Sequence, residues 1–249
     1  MLFQPAIPPG APAPPESFYT GLGLGDRAPA DRPYVVCNFV SSADGKATAK
    51  GRTALLGGEG DRRMFHLLRT QVDAILAGTG TLRVERYGPL IREPRLAEIR
   101  VREQRAAQPL GVVITRSGRV PWDIPLFAAN ESRVAVYAPA GVEVPSTVAA
   151  LTVHELVPDD GRDGLAAVLR SLRRDHGVRS LLCEGGPALF TSLVAHDLVD
   201  ELFLTLAPTL VGGDELGITT GIGLDEPMAL RLARALEQDG NLFLRYVRD

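Results

Sequence analysis

Cysteine is scarce, with only Cys37 and Cys183 in 249 residues. Two thiols cannot build a disulfide framework or a cysteine-rich zinc site. Each lies in an apolar run, Val35-Val36-Cys37 and Leu181-Leu182-Cys183, so buried, reduced thiols in strands are expected. The four histidines, His66, His154, His176 and His196, are scattered without a His-x-x-x-His pair, and no metal site is expected. There is no Gly-x-Ser-x-Gly elbow, so a serine hydrolase lacks support. No apolar run approaches the roughly 20 residues of a membrane-spanning helix. Basic residues are not in excess: 27 against 30 acidic give a net charge of −3. That excludes an overall basic nucleic-acid binder. The start of the chain has no basic region followed by an apolar core, so a cytoplasmic protein is the expectation.

With 45% hydrophobic and 23% charged residues, the chain has the composition of a globular protein with a substantial core. Residues 1–31 hold seven of the 19 prolines. Proline fixes the backbone and removes a donor, so this stretch is expected to be an extended arm, with 32–249 as one domain. Gly21-Leu22-Gly23-Leu24-Gly25 follows no strand and opens no helix, and is expected to be a flexible linker. From Arg32 onward strand and helix patterns alternate. Strands are expected at 34–40, 72–77, 110–115, 133–137, 151–156, 179–183 and 201–207, and helices at 60–70, 95–107, 163–175 and 187–196. Two further strands, 229–237 and 241–247, flank Gln238-Asp239-Gly240, and Asp-Gly between strands signals a hairpin. The alternation implies an α/β fold, a mostly parallel sheet with flanking helices and a C-terminal antiparallel hairpin.

Three motifs stand at strand ends. In Ile75-Leu76-Ala77-Gly78-Thr79-Gly80-Thr81 a buried strand runs into glycines interleaved with threonines. Glycine permits close backbone approach to a phosphate, and helix N-termini add unpaired amides; a threonine-capped strand-to-helix turn reads equally well. Glu184-Gly185-Gly186-Pro187-Ala188-Leu189-Phe190 repeats the arrangement, with proline opening the next helix. Ligands of open α/β sheets bind at this carboxyl edge, and two such turns are more specific than one. Neither matches a Walker loop or the dinucleotide fingerprint. The third, Ser41-Ser42-Ala43-Asp44-Gly45-Lys46, reads as a loop whose serines can face a ligand. The arginines at 92, 95, 100, 102 and 105, interspersed with glutamates, read as a solvated helical face, and Trp122 as a packed loop anchor.

In order, these stretches resemble the reductase domain of bacterial riboflavin-biosynthesis deaminase–reductases and related stand-alone pyrimidine reductases. The resemblance rests on 32–46, 73–81, Gly111–Thr115, Glu184–Pro187 and Leu198–Leu202. It implies a dihydrofolate-reductase-like fold, a homodimer, and NADPH-dependent reduction of the ribosyl group of a phosphorylated aminopyrimidine to ribityl in riboflavin biosynthesis. No deaminase zinc motif accompanies it. The resemblance assigns cofactor contacts to Val40 through its backbone, to Gly78, Thr79, Gly80 and Thr81, to Thr115, and to Gly185, Gly186, Pro187, Ala188, Leu189 and Phe190. It assigns substrate contacts to Thr53, Arg69, Leu90, Arg92 and Glu184, with Arg69 and Arg92 at the phosphate. Glu85 stands where the family has an acidic residue near the cofactor, and Glu85 or Asp44 is the candidate proton donor or relay. The family pattern Ala-Asp-Asp-Pro reads Val84-Glu85-Arg86-Tyr87 here. That departure leaves open reduction of another pteridine or pyrimidine, such as dihydrofolate, or a non-catalytic nucleotide-binding role. No nucleic-acid or membrane partner is expected.

Overall fold

A computed structural model describes residues 1–157, 164–221, 223, 224 and 226–248. In chain order the elements are β1 (Gln4–Ile7), α1 (Glu16–Tyr19), β2 (Tyr34–Ser42), α2 (Glu59–Thr70), β3 (Ala74–Gly78), α3 (Thr79–Glu85), α4 (Pro94–Arg102), β4 (Leu110–Ile114) and α5 (Pro125–Ala128). They continue with β5 (Arg133–Ala138), β6 (Ala150–Glu155), α6 (Leu165–Asp175), β7 (Ser180–Cys183), α7 (Pro187–Ala195), β8 (Glu201–Ala207), β9 (Leu230–Gln238) and β10 (Asn241–Arg248). The chain divides into two compact units: Met1–Thr20, Val35–Leu68 and Pro187–Asp249 in the first, Gly21–Tyr34 and Arg69–Gly186 in the second.

The first unit orders its strands β1-β9-β10-β8-β2. Only β2 and β8 are parallel; the other pairs are antiparallel. The expected hairpin is present: Asp239 (φ 51°) and Gly240 (φ 77°) join β9 to β10, and two positive φ values match the twist of the flanking strands. α2 lies so close to this hairpin that a Cβ on Gly60 would collide with Gln238. α7 packs Phe190 against Phe39 of β2, ring centroids 4.7 Å apart.

The N-terminal residues are more ordered than an extended arm. β1 pairs with β9 along the sheet edge, where Pro5 is tolerated because one side of an edge strand needs no donor. Phe3 and Tyr19 are buried and meet Phe243 and Phe203 edge-on at 5.0 and 5.4 Å. Glu16 pairs with Arg63 of α2.

The second unit orders β7-β3-β4-β5-β6, all parallel. β4 and β7 are buried throughout, and β3 up to its final glycine, as expected for a parallel sheet covered on both faces. Cys183 of β7, like Cys37 of β2 in the first unit, is buried and not part of a disulfide. The glycine-rich run expected as a flexible linker is packed here instead. Leu24 is buried in a 3₁₀ turn, and a Cβ on Gly25 would stand 3.1 Å from that of Arg179. The charged helix α4 stops at Arg102, short of the expected 107. Gln104 turns left-handed (φ 59°), which frees Arg105 to reach Asp73 at 2.7 Å. Asp163, the expected first residue of α6, lies outside the described residues. Among the described residues no helix is long and apolar enough to cross a membrane.

Candidate active site

In the second unit β3 and β7 are parallel neighbours, so their carboxyl ends deliver the two glycine-bearing turns side by side. The ladder extends past the strands: Glu184 N–H donates to Leu76 O at 3.0 Å, and Gly78 N–H to Gly185 O at 2.9 Å. Gly185 adopts φ 91°, and the Gly185–Gly186 peptide is cis. A Cβ on Gly186 would stand 3.2 Å from Thr81 Oγ1, so the turns face each other closely. Thr79, Gly80 and Thr81 open α3, where amides have no carbonyl four residues back, and no side chain caps them. A Cβ on Gly80 would meet nothing within 4 Å. Nothing in the chain's own packing therefore requires glycine at that exposed position. Room beside uncapped amides fits an anionic group such as a pyrophosphate.

Beneath the second turn lies a buried ionic cluster. Arg69, the penultimate residue of α2, donates from Nε to Glu184 Oε1 at 2.7 Å and from Nη2 to Oε2 at 2.8 Å. Its Nη1 donates to Leu90 O at 3.0 Å. Tyr87 donates its hydroxyl to Glu184 Oε2 at 2.6 Å and sets its ring 5.3 Å from the guanidinium. Burial alone would push Arg69 down, but pairing with Glu184 outweighs it and holds the guanidinium above its ordinary range; burial pushes the Tyr87 phenol well up.

A second arginine fixes the end of the helix that carries Arg69. Arg100, read from sequence as part of a solvated face, is only 1% exposed. Its Nη1 donates to the carbonyls of Arg69, Thr70 and Val72 at 2.9, 3.3 and 2.7 Å, and its Nε to Ala106 O at 2.7 Å. Burial pushes it down to about 10. Lysine has one nitrogen and cannot serve both the carbonyls at Nη1 and that of Ala106 at Nε. Arg100→Lys is expected to lose about 2–4 kcal/mol, since buried carbonyls are left unpaired; a shift of less than 1 °C in thermal midpoint would refute this.

Several expected roles change. Arg69 is buried and spends three of its five N–H donors on Glu184 and Leu90, so its structural partner is Glu184. Leu90 is buried, and its Cδ1 would lie 3.6 Å from a Cβ on Gly111; it is core. Arg92 is exposed. Glu85 sits exposed at the far end of α3, six residues and about 9 Å along the axis from Thr79, not beside the turn. Arg86 (φ 42°) ends α3 and pairs with Asp123 at 3.3 Å. Thr115 is buried, with its N–H on Tyr137 O and its hydroxyl 3.3 Å from that of Ser117. Trp122 packs on Phe127 as an anchor, at 4.8 Å.

In the first unit, Val40 is buried with Leu56 and Ala207, which leaves only its backbone for a ligand. Thr53 is exposed and opens a 3₁₀ turn. Pro187, Ala188 and Leu189 form the partly exposed start of α7, whereas the Phe190 side chain is core. Asp44 accepts from Ser42 Oγ at 2.6 Å and from the amides of Val211 and Gly212 at 3.1 and 2.7 Å. These bonds, that of Ser42 foremost, lower its carboxyl to about 2. Ionised at neutral pH, it ties two loops together and is no proton donor. A depressed carboxyl stabilises above its unfolded value of about 3.9 and loses that effect as pH falls toward the folded one. The 209–213 loop, with Leu210 78% exposed, is therefore expected to become a pepsin cleavage site as pH drops from 4 toward about 2. Asp44→Asn should open it at neutral pH to chymotrypsin; equal resistance of the variant and the native chain would contradict the clamp.

Residues 33–243 match the RibD C-terminal domain. The chain belongs to the RibD C-terminal domain family. It is 33% identical over 223 residues to the 2,5-diamino-6-ribosylamino-4(3H)-pyrimidinone 5′-phosphate reductase of Methanothermobacter thermautotrophicus, covering 86% of this chain and 98% of that one. Identity to the like-named reductase of Archaeoglobus fulgidus is 31%, over 73% of this chain and 83% of the other. A solved pyrimidine reductase-like protein from Corynebacterium diphtheriae superposes with a TM-score of 0.78 at 20% identity, covering 95% of this chain and 99% of that one. The RibD-family chain thus has the expected dihydrofolate-reductase-like α/β fold, a mostly parallel sheet with flanking helices.

Proposed function

We propose that this RibD-family chain is an NADPH-dependent reductase that converts the ribosyl group of 5-amino-6-(5-phosphoribosylamino)uracil, or its diaminopyrimidinone analogue, to ribityl. The observation that carries the reading is the pair of interlocked glycine turns at the carboxyl ends of β3 and β7, with open space at Gly80 and no side chain over the amides of α3. The family's reductases with at least 31% identity, both named for this pyrimidine chemistry, support the substrate class.

When bound, NADPH supplies the hydride. The chain's own residues hold and orient. Gly78–Thr81 and Gly185–Gly186 offer amides and hydroxyls to a pyrophosphate. Glu184, fixed from below by Arg69 and Tyr87, presents an acceptor for substrate hydroxyls. Arg92 supplies an exposed cation for the substrate phosphate. The departure at Glu85-Arg86-Tyr87 gives no support to a pteridine: Arg86 pairs with Asp123, and Tyr87 is spent on Glu184. A homodimer belongs to the proposal, to be checked by sedimentation.

The test is loss of NADPH absorbance with the phosphoribosylaminopyrimidine and, separately, with dihydrofolate. Turnover of the pyrimidine at least about a hundredfold faster than dihydrofolate is expected. Dihydrofolate as the better substrate, or calorimetric silence toward NADPH, would reject the reading.

A further inference from the structure

Tyr87 marks the place where the sequence leaves the family pattern, and neither turn, cofactor nor fold explains a buried hydroxyl there. Its position is fixed from both sides. Arg86 turns left-handed to end α3, Tyr87 N–H donates to Leu82 O at 3.3 Å, and Tyr87 O accepts from Leu126 N–H at 2.9 Å. The side chain is thus delivered to one atom, Glu184 Oε2.

An ionised carboxylate has about four lone-pair sites and no donor. Oε2 receives both Arg69 Nη2 and the Tyr87 hydroxyl, while Oε1 receives Arg69 Nε. Among the described residues, one acceptor site remains; it lies on Oε1 of a side chain only 2% exposed, so a ligand hydroxyl that meets Glu184 meets it there. Arginine alone would hold both oxygens in a symmetric fork and leave one site on each. Tyr87 removes the symmetry.

We propose that Tyr87 is a positioning residue: by occupying Oε2 it leaves Oε1 as the single Glu184 acceptor for a hydroxyl of the substrate's sugar chain. The inference rests on the functional reading above and sharpens it to a polyhydroxylated ligand recognised through one oxygen. It also explains the departure from the family pattern. The tyrosine braces a substrate-binding carboxylate and does not reshape the substrate pocket.

Tyr87→Phe keeps the ring and removes only the hydroxyl. The expected result is a KM for the phosphoribosylaminopyrimidine raised about tenfold, the worth of one charge-assisted hydrogen bond in orientation, with kcat and the KM for NADPH within about twofold of the native enzyme. Uniform loss of ground-state and transition-state binding has that signature. Infrared spectra of protein with labelled glutamate give a readout independent of turnover. The carboxylate band assigned to Glu184 by its loss in Glu184→Gln is expected to shift in Tyr87→Phe. An unmoved band, or an unchanged KM for the pyrimidine, overturns the assignment. Native protein that reduces no such pyrimidine overturns the functional reading instead, and the band then decides Tyr87 by itself.

Discussion

Replacing Arg69 with methionine is expected to lower the unfolding free energy by about 3–5 kcal/mol, the usual cost of removing one partner from a buried ion pair. The side chains of Arg69 and Glu184 are only 7% and 2% exposed. Without the guanidinium, Glu184 keeps the Tyr87 hydroxyl as its side-chain donor, and the carbonyl of Leu90 loses the donor it has in Arg69. A buried carboxylate so exposed to low dielectric must either take up a proton or draw water inward. The control is Arg69→Met combined with Glu184→Met. Replacing both charges with apolar groups of similar length removes the unpaired carboxylate, so the double variant is expected to recover at least half of the loss. Urea unfolding of the three proteins checks this directly; a single variant within 1 kcal/mol of the native chain would show that the pair contributes little. The consequence reaches function. Loss of activity in Arg69→Met says nothing about phosphate binding if the fold is compromised. The phosphate role is tested at exposed Arg92, where Arg92→Ala should raise KM without moving the unfolding midpoint.

Much of the parallel sheet was legible because its strands are buried on both faces. Ile75-Leu76-Ala77, Val112-Val113-Ile114 and Leu181-Leu182-Cys183 are unbroken apolar runs, and each is a strand. The hairpin was legible because Asp-Gly supplies the two positive φ values its turn needs. The N-terminal order was not, since Pro5 argues against a strand unless one knows that β1 sits at an edge, and Phe3 and Tyr19 reveal themselves as anchors only once the sheet is there to receive them. At α3 the sequence suggested a strand-to-helix turn but not the helix's extent, since Thr79, Gly80 and Thr81 are poor helix formers. At the site, the turns could be read from local chemistry, because glycines after an apolar strand carry their meaning in sequence order. The cluster could not. Arg69, Tyr87, Arg100 and Glu184 are separated by up to 115 positions, and a surface-like arginine pattern conceals that Arg100 points inward. The single legible hint was the tyrosine standing where the family has proline.

Gly80 separates fold from function most sharply. Its backbone is not left-handed, and a Cβ would meet nothing. Substituting alanine therefore removes freedom from the unfolded chain at no steric cost, and Gly80→Ala is expected to stabilise the protein by about 0.4–1 kcal/mol. The same methyl group enters the space beside the amides of α3, where a pyrophosphate must approach the backbone. Affinity for NADPH is expected to fall about tenfold in Gly80→Ala and about a hundredfold in Gly80→Leu, as close backbone approach is lost. Opposite signs for stability and affinity are the diagnostic. A glycine kept for packing would give a less stable protein with weaker binding, and a glycine of no consequence would leave affinity untouched. Calorimetry with NADPH and a thermal melt on the same three samples distinguish these outcomes. If the leucine variant binds NADPH as tightly as the native chain, the cofactor does not lie against this turn, and the paired glycines serve only to join β3 to α3 and β7 to α7.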